Sequence, residues 1–245
     1  MKEKFSNKYI YIYSTVLVVI VAAILAIIAV GLKPYQDKNI RVEKMQQLLG
    51  AVHIYSTVNN AETLYNKYFT KEYAVDSQGK IVSSYINGQK QGKIRPFEIN
   101  VKDEYKKLKT KQNGVILPVY VCEKEGKQYF VVPVRGAGLW GDIWGNVALK
   151  DDMTTVEGVN FDHESETPGL GAEITTQKFQ SKFQNKTIFE GNIFTSIAVE
   201  KRADMKDPHK VDALSGATLT SKGVSAMLND CLCFYIPYFN TLKIK

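Results

Sequence analysis

Three glycine-bearing clusters in the second half of the chain hold the residues whose types and spacing suit chemistry. The last, VDALSGATLTSKGV at residues 211–224, sets Thr218 behind Ser215, Gly216 and Ala217, with Asp212 upstream. Gly216 and Ala217 remove side chains that would block a bulky group. A helix opening near Thr220 would turn its unpaired amides and positive dipole end back toward residues 215–218, a favourable place for a phosphate. The competing reading is a helix cap, with the Thr218 or Thr220 hydroxyl satisfying those amides. The loop is neither a G-x-x-x-x-G-K-[ST] phosphate loop nor a G-x-G-x-x-G dinucleotide fingerprint.

The middle cluster, HESETPGLGAEI at residues 163–174, contains a Thr167-Pro168-Gly169 turn, and Gly171 permits close approach at the start of a following helix. His163 with Glu164 or Glu166 would make an acid–base pair. No nucleophile or second carboxylate stands at a defined spacing, so acid–base catalysis is not expected. The first cluster, RGAGLWGDIWG at residues 135–145, carries the two tryptophans of the protein, Trp140 and Trp144. It reads either as a loop that approaches a ligand or as a tight turn whose aromatics close the core.

Composition narrows the function further. The formal net charge is +7, but the lysines are scattered among acidic residues. No run joins basic residues to stacking aromatics, so nucleic-acid binding is not expected. Three cysteines, Cys122, Cys231 and Cys233, make no disulfide framework, and read as small buried apolar groups. His53, His163 and His209 show no metal-ligand spacing, and no metal is expected.

The elements that must position the clusters follow from hydrophobic pattern. Residues 9–32 (YIYIYSTVLVVIVAAILAIIAVGL) carry no charge over 24 positions, where a membrane span needs about 20. The run exceeds the 7–15 residues or so of a signal-peptide core, and Leu32-Lys33-Pro34-Tyr35 is no cleavage site. A retained anchor is therefore expected, with a tail at 1–8. Lysines 2, 4 and 8 balance Lys33, Lys38, Arg41 and Lys44, so charge does not orient it. Beyond it, spacing predicts helices over 38–52 and 60–73, and loops with short strands around Gly79, Gly88 and Gly92. Strands are predicted at 115–122 and 129–134 as a hairpin, and at 146–149, 155–161 and 195–200. Helices are predicted at 172–183 and 220–234. Strands in a run, with helices apart, indicate an α+β domain. A membrane-proximal part at 33–112 precedes a core at 113–245.

Taken in order, the uncharged span, GLWG (138–141), ETPGLG (166–171) and D-x-x-SGAT-x-T (212–220) resemble the C-subunit family of sodium-translocating NADH:quinone reductases, within the FMN-binding domain family. The similarity covers nearly the whole chain. It implies a mainly antiparallel sheet with flanking helices, and one FMN held through a phosphoester on Thr218. A separate flavin transferase using FAD and magnesium makes that bond. Ser215, Gly216, Ala217 and Asp212 complete the attachment motif, and Glu166, Thr167, Leu170, Gly171 and Trp140 become candidate flavin neighbours. The implied role is an electron relay in a bacterial inner membrane, from an iron–sulfur centre to a flavin in a partner subunit and on to quinone, coupled to sodium export. The N-terminus would be cytoplasmic and the FMN domain periplasmic, with lipid around the span. The FMN-carrying G-subunit of an Rnf-type complex shares ETPGLG and stays open as an alternative, as does a non-catalytic scaffold protein. The segment FYIPYFNTLKIK at the C-terminus shows no assignable motif.

Overall fold

The computed structural model describes residues 6–243. Part of the expected 1–8 tail, and the last two residues of FYIPYFNTLKIK, lie outside the described residues. The chain divides into two compact units at Lys44/Met45.

Helix α1 (Asn7–Ala51) begins in the first unit and gives its last turns to the second. It is long and apolar enough to cross a membrane, and none of its most apolar stretch is buried by protein. The sequence suggested a span and then a separate helix after residue 37; a single 45-residue helix is found, with Pro34 inside it. Proline removes one backbone hydrogen bond. Helix-forming residues on both sides carry the turn through, and a Lys33–Asp37 ion pair of 2.8 Å bridges the position.

The second unit is α+β. Its sheet contains β1 (Phe69–Asp76), β2 (Ile81–Ile86), β3 (Gln89–Gln91), β4 (Ile116–Lys124), β5 (Lys127–Ala137), β6 (Asp142–Lys150) and β7 (Val156–His163). The order is β3-β2-β1-β4-β5-β6-β7, with every pairing antiparallel. The predicted hairpin is β4–β5, closed by Glu125-Gly126, both at positive φ. The expected helix at 60–73 is cut short: α2 (Ala61–Tyr68) ends where β1 starts. Strand β1 is paired on both sides, by β2 and β4, and those two ladders outweigh local helical spacing. Between β3 and β4 lies α3 (Val101–Lys109), which the sequence reading passed over. Its signal was present in Asn100, whose side chain accepts from the Lys102 amide at 3.1 Å and the Asp103 amide at 3.5 Å.

After β7 the expected helix at 172–183 breaks into a 3₁₀ turn (Gly171–Thr175), α4 (Gln177–Gln180) and a second 3₁₀ turn (Ser181–Phe183). The Thr175 and Thr176 hydroxyls donate to the Ala172 and Glu173 carbonyls, a local competition that interrupts helix. A minor hairpin follows, β8 (Phe189–Glu190) with β9 (Ile193–Phe194). The strand expected at 195–200 is shortened to β10 (Ala198–Glu200) because Ser196 has φ +62°. It pairs in parallel with β11 (Lys210–Asp212).

Helix α5 (Thr218–Lys243) is longer at both ends than the predicted 220–234. It lies along β5, burying Val224, Met227, Leu228, Tyr235 and Phe239 in the core with Val119, Val132, Val134 and Ile143. Each such side chain contributes roughly 1.5–3 kcal/mol on burial, so packing fixes this helix. Within the C-terminal segment Phe234, Tyr235, Tyr238 and Phe239 are buried; its observed role is packing. Alternation along β4 sends Tyr120 to the opposite face. There it meets Phe97, which packs edge-on against Tyr65. Cys122 and Cys231 are buried as expected, but Cys233 is exposed, since residues two apart on a helix face different ways.

Candidate functional site

The three clusters meet on one carboxylate. Glu166 is only 4 % exposed. Its Oε1 accepts the amides of Leu139 at 2.6 Å and Trp140 at 2.9 Å, and its Oε2 accepts the Thr220 hydroxyl at 2.7 Å. Its own amide donates to His163 Nδ1 at 3.2 Å. The turn at the end of β5 is closed by Gly138 N–H donating to the Gly141 carbonyl at 2.8 Å. Two glycines make room for the carboxylate. A Cβ on Gly138 would collide with Oε1, and one on Gly171 would collide with Oε2 and sit 2.6 Å from Thr220 Oγ1.

Burial by itself would raise the Glu166 pKa. The Trp140 amide, the Thr220 hydroxyl and the Leu139 amide, aided by His163, outweigh it and hold the carboxyl below its ordinary value. Glu166 is thus an anion with both oxygens occupied. That removes it as a base toward any substrate, and His163 Nδ1 is occupied by the Glu166 amide.

The SGAT loop lies directly beside this knot. Strand β11 ends at Asp212, whose carboxylate accepts the Arg202 amide at 2.9 Å and whose carbonyl accepts Lys182 Nζ at 3.1 Å. The loop is braced by the Leu214 amide donating to Ser221 Oγ at 3.2 Å. Gly216 has φ +76°, a backbone region that glycine adopts without penalty. It also lies against Leu170: a Cβ there would be 2.7 Å from Leu170 Cδ2. Ala217 is buried and Ser215 exposed. Thr218 is the first residue of α5, not a residue ahead of it.

This geometry bears on the capping reading of SGAT. The residue before α5 is Ala217, which has no capping oxygen. Thr220 is 1 % exposed and its hydroxyl points to Glu166. Among the described residues the half-buried Thr218 hydroxyl takes no hydrogen-bond partner. The cap is absent, and the leading amides of a 26-residue helix have no intrahelical acceptor. Of the four neighbouring hydroxyls, those of Thr220 and Ser221 are buried and engaged, which leaves Ser215 and Thr218 open.

The three clusters hold four exposed large apolar side chains: Leu139, Trp140, Leu170 and Leu219. Trp140 is 65 % exposed, so the alternative in which this tryptophan closes the core is not realised. Trp144 is half-buried and lies under the Arg135 guanidinium. Thr167 is exposed in its turn, accepting the Leu170 and Ala172 amides at 3.1 Å each through its carbonyl. An apolar rim beside free helix amides suits a planar ring system carrying a phosphate. Leu139, Leu219 and Thr220 were missed as site residues, although GLWG and SGAT-x-T contained them. Two clefts, of about 420 Å³ beside Tyr73 and Tyr238 and about 350 Å³ beside Tyr105 and Cys231, are lined by none of these residues. We place the site at the rim, where the chemistry converges.

Residues 138–233 match the FMN-binding domain family, a stretch that includes GLWG, ETPGLG and SGAT. The fold and site therefore define a protein with an FMN-binding domain behind a helix of membrane-spanning length. The chain belongs to the C-subunit family of Na(+)-translocating NADH-quinone reductases. The relative from Neisseria meningitidis serogroup A is 33% identical over 99% of this chain and 96% of its own length. That from Haemophilus ducreyi is 32% identical over 84% of this chain and 81% of its own length. Among solved structures, the C-subunit from Parabacteroides distasonis superposes with a TM-score of 0.73 at 33% identity, covering 85% of this chain and 96% of that one. NqrC of Shewanella oneidensis gives 0.67 at 25% identity, covering 84% and 98%.

Proposed function

We propose that this chain carries one FMN in phosphoester linkage to Thr218 and passes electrons within a sodium-translocating NADH:quinone reductase. The observation that carries the reading is the open Thr218 hydroxyl at the first position of α5, in a loop that lies against Leu170 and on a helix start tied through Glu166 to Leu139 and Trp140. Attachment from FAD forms a bond between Thr218 Oγ and the FMN phosphorus, breaks the pyrophosphate bond and releases AMP, while the hydroxyl proton is lost. That step belongs to a flavin transferase with magnesium, so the threonine needs no base of its own. The small residues Ser215, Gly216 and Ala217 leave the approach open, and Asp212 holds the strand end from which the loop departs.

The isoalloxazine supplies reversible electron acceptance when bound. The protein would position it: Leu170 and Trp140 would offer apolar surface, Thr167 and Gly171 shape the turn, and the first amides of α5 would be the donors for the phosphate. Electrons arrive from an iron–sulfur centre and leave to a flavin in a partner membrane protein of the complex, then to quinone. Sodium export is coupled elsewhere in the complex, because a single uncharged span offers no ion path. Residues 9–32 anchor the chain in the bacterial inner membrane, with residues 1–8 cytoplasmic. Residues 33–112 and the 113–245 core lie on the periplasmic side. Peptide mass spectrometry on the full chain co-expressed with the transferase tests the reading. A gain of FMN less one water on the peptide containing Thr218, absent in Thr218→Ala, supports it. An unmodified Thr218, with the transferase active on another substrate, rejects it and leaves the scaffold.

A further inference from the structure

The relay role gives Glu166 nothing to do, although a buried carboxylate is a costly thing to keep. Every donor it receives is neutral: two amides and a hydroxyl. Among the described residues no lysine or arginine forms an ion pair with it. Arg135, on the neighbouring strand, is held by Asp142 at 2.6 Å. Glu164 adds negative charge nearby, its Oε2 lying 3.3 Å from the Asp142 amide. The imidazole of His163 accepts the Glu166 main-chain amide rather than pairing with its carboxylate, which it stabilises less than the two amides and the hydroxyl do.

The three donors come from two segments, the turn after β5 and the start of α5. Leu139 and Trp140 begin the exposed rim, and Thr220 lies two residues past Thr218 on the same helix. The carboxylate also fills the space that Gly138 and Gly171 leave open. A neutral glutamine would satisfy the same three groups. Its carbonyl oxygen accepts both amides, and its NH₂ donates to Thr220 Oγ1 once that hydroxyl turns away. Shape alone therefore does not explain the acid, whereas charge does. A fixed anion in a partly desolvated setting opposes the addition of electrons to a neighbouring group.

We propose that Glu166 is a positioning residue that also acts electrostatically. It is an anion without a lysine or arginine ion-pair partner among the described residues, clamped by Leu139, Trp140 and Thr220, and it makes reduction of the flavin on Thr218 less favourable. The proposal rests on Thr218 carrying that flavin. The full-length chain, loaded by the transferase in wild-type, Glu166→Gln and Thr220→Val forms, is titrated potentiometrically in detergent. Glu166→Gln keeps the geometry without the charge and shifts the flavin midpoint potential upward. Thr220→Val keeps the charge, removes the side-chain donor at Oε2 and shifts the potential downward. A purely structural brace would give no such opposite pair. A loaded Glu166→Gln protein with the wild-type potential overturns the proposal. If Glu166→Gln does not fold or load, Thr220→Val decides, and an unchanged or raised potential overturns it. Wild-type protein without FMN on Thr218 brings down the flavin reading and this proposal together, whereas a loaded wild type with unmoved variant potentials rejects the proposal alone.

Discussion

The Thr220 hydroxyl donates to Glu166 Oε2 at 2.7 Å, joining residues 54 positions apart. Through this bond the start of α5 is tied to the loop after β7, and through Oε1 to the turn between β5 and β6. The seat of Thr218 is thus held by tertiary contacts among three separate segments.

Removing that anchor carries a defined cost. Glu166→Ala leaves two partly buried amides and a buried hydroxyl without an acceptor, at roughly 1–3 kcal/mol each where water does not reach in. We expect a loss of about 2–4 kcal/mol in total, read as a lower thermal midpoint of the apo chain. Thr220→Val, which removes one donor and leaves the amides satisfied, should cost about 1 kcal/mol.

The same carboxylate gives an acid dependence with a fixed sign. Its folded pKa lies below the unfolded value, which is about 4.3. Its contribution to stability is therefore complete above that value and is lost as pH falls through the folded pKa. Asp142, held down chiefly by its hydrogen bond to Arg135, behaves alike. Thermal midpoints should fall on acidification below about pH 5. Glu166→Gln should show a shallower fall, its curve converging with the wild type at low pH.

The cysteines should separate by reactivity. Burial pushes the Cys122 thiol up to about 12 and the Cys231 thiol up to about 11, while Cys233 is exposed. The thiolate is the nucleophile. Native iodoacetamide labelling near pH 8, followed by peptide mapping, should modify Cys233 and leave the other two until denaturant is added. Rapid labelling of Cys231 would contradict the packing of α5 on β5.

A second buried charge secures the other face of the sheet. Glu72 is 1 % exposed and accepts Arg95 Nε at 3.0 Å, the Phe97 amide at 3.1 Å and the Tyr65 hydroxyl at 3.0 Å. Arg95 also lies 3.9 Å over the Tyr85 ring. Arg95→Ala strands the carboxylate and should destabilise the domain by about 3–5 kcal/mol. Arg95→Met with Glu72→Leu, which removes both charges, should recover much of that loss in the same thermal assay.

What the sequence determined by itself was whatever depends on chain neighbours. The uncharged run read as spanning length, the β4–β5 hairpin, the α+β class and the ordered motifs around Thr218 all follow from local pattern and turn chemistry. Tertiary structure decided the rest. Residues 69–73 became strand because β2 and β4 pair with them on both sides, against their helical spacing. Pro34 stayed within α1 because one missing hydrogen bond is small beside the turns around it. Glu166 had also read as half of an acid–base pair. It is a buried anion because its donors arrive from 26, 27 and 54 residues away. No local pattern encodes that convergence, since a side chain's desolvation and hydrogen bonding are set by whatever the fold brings to it.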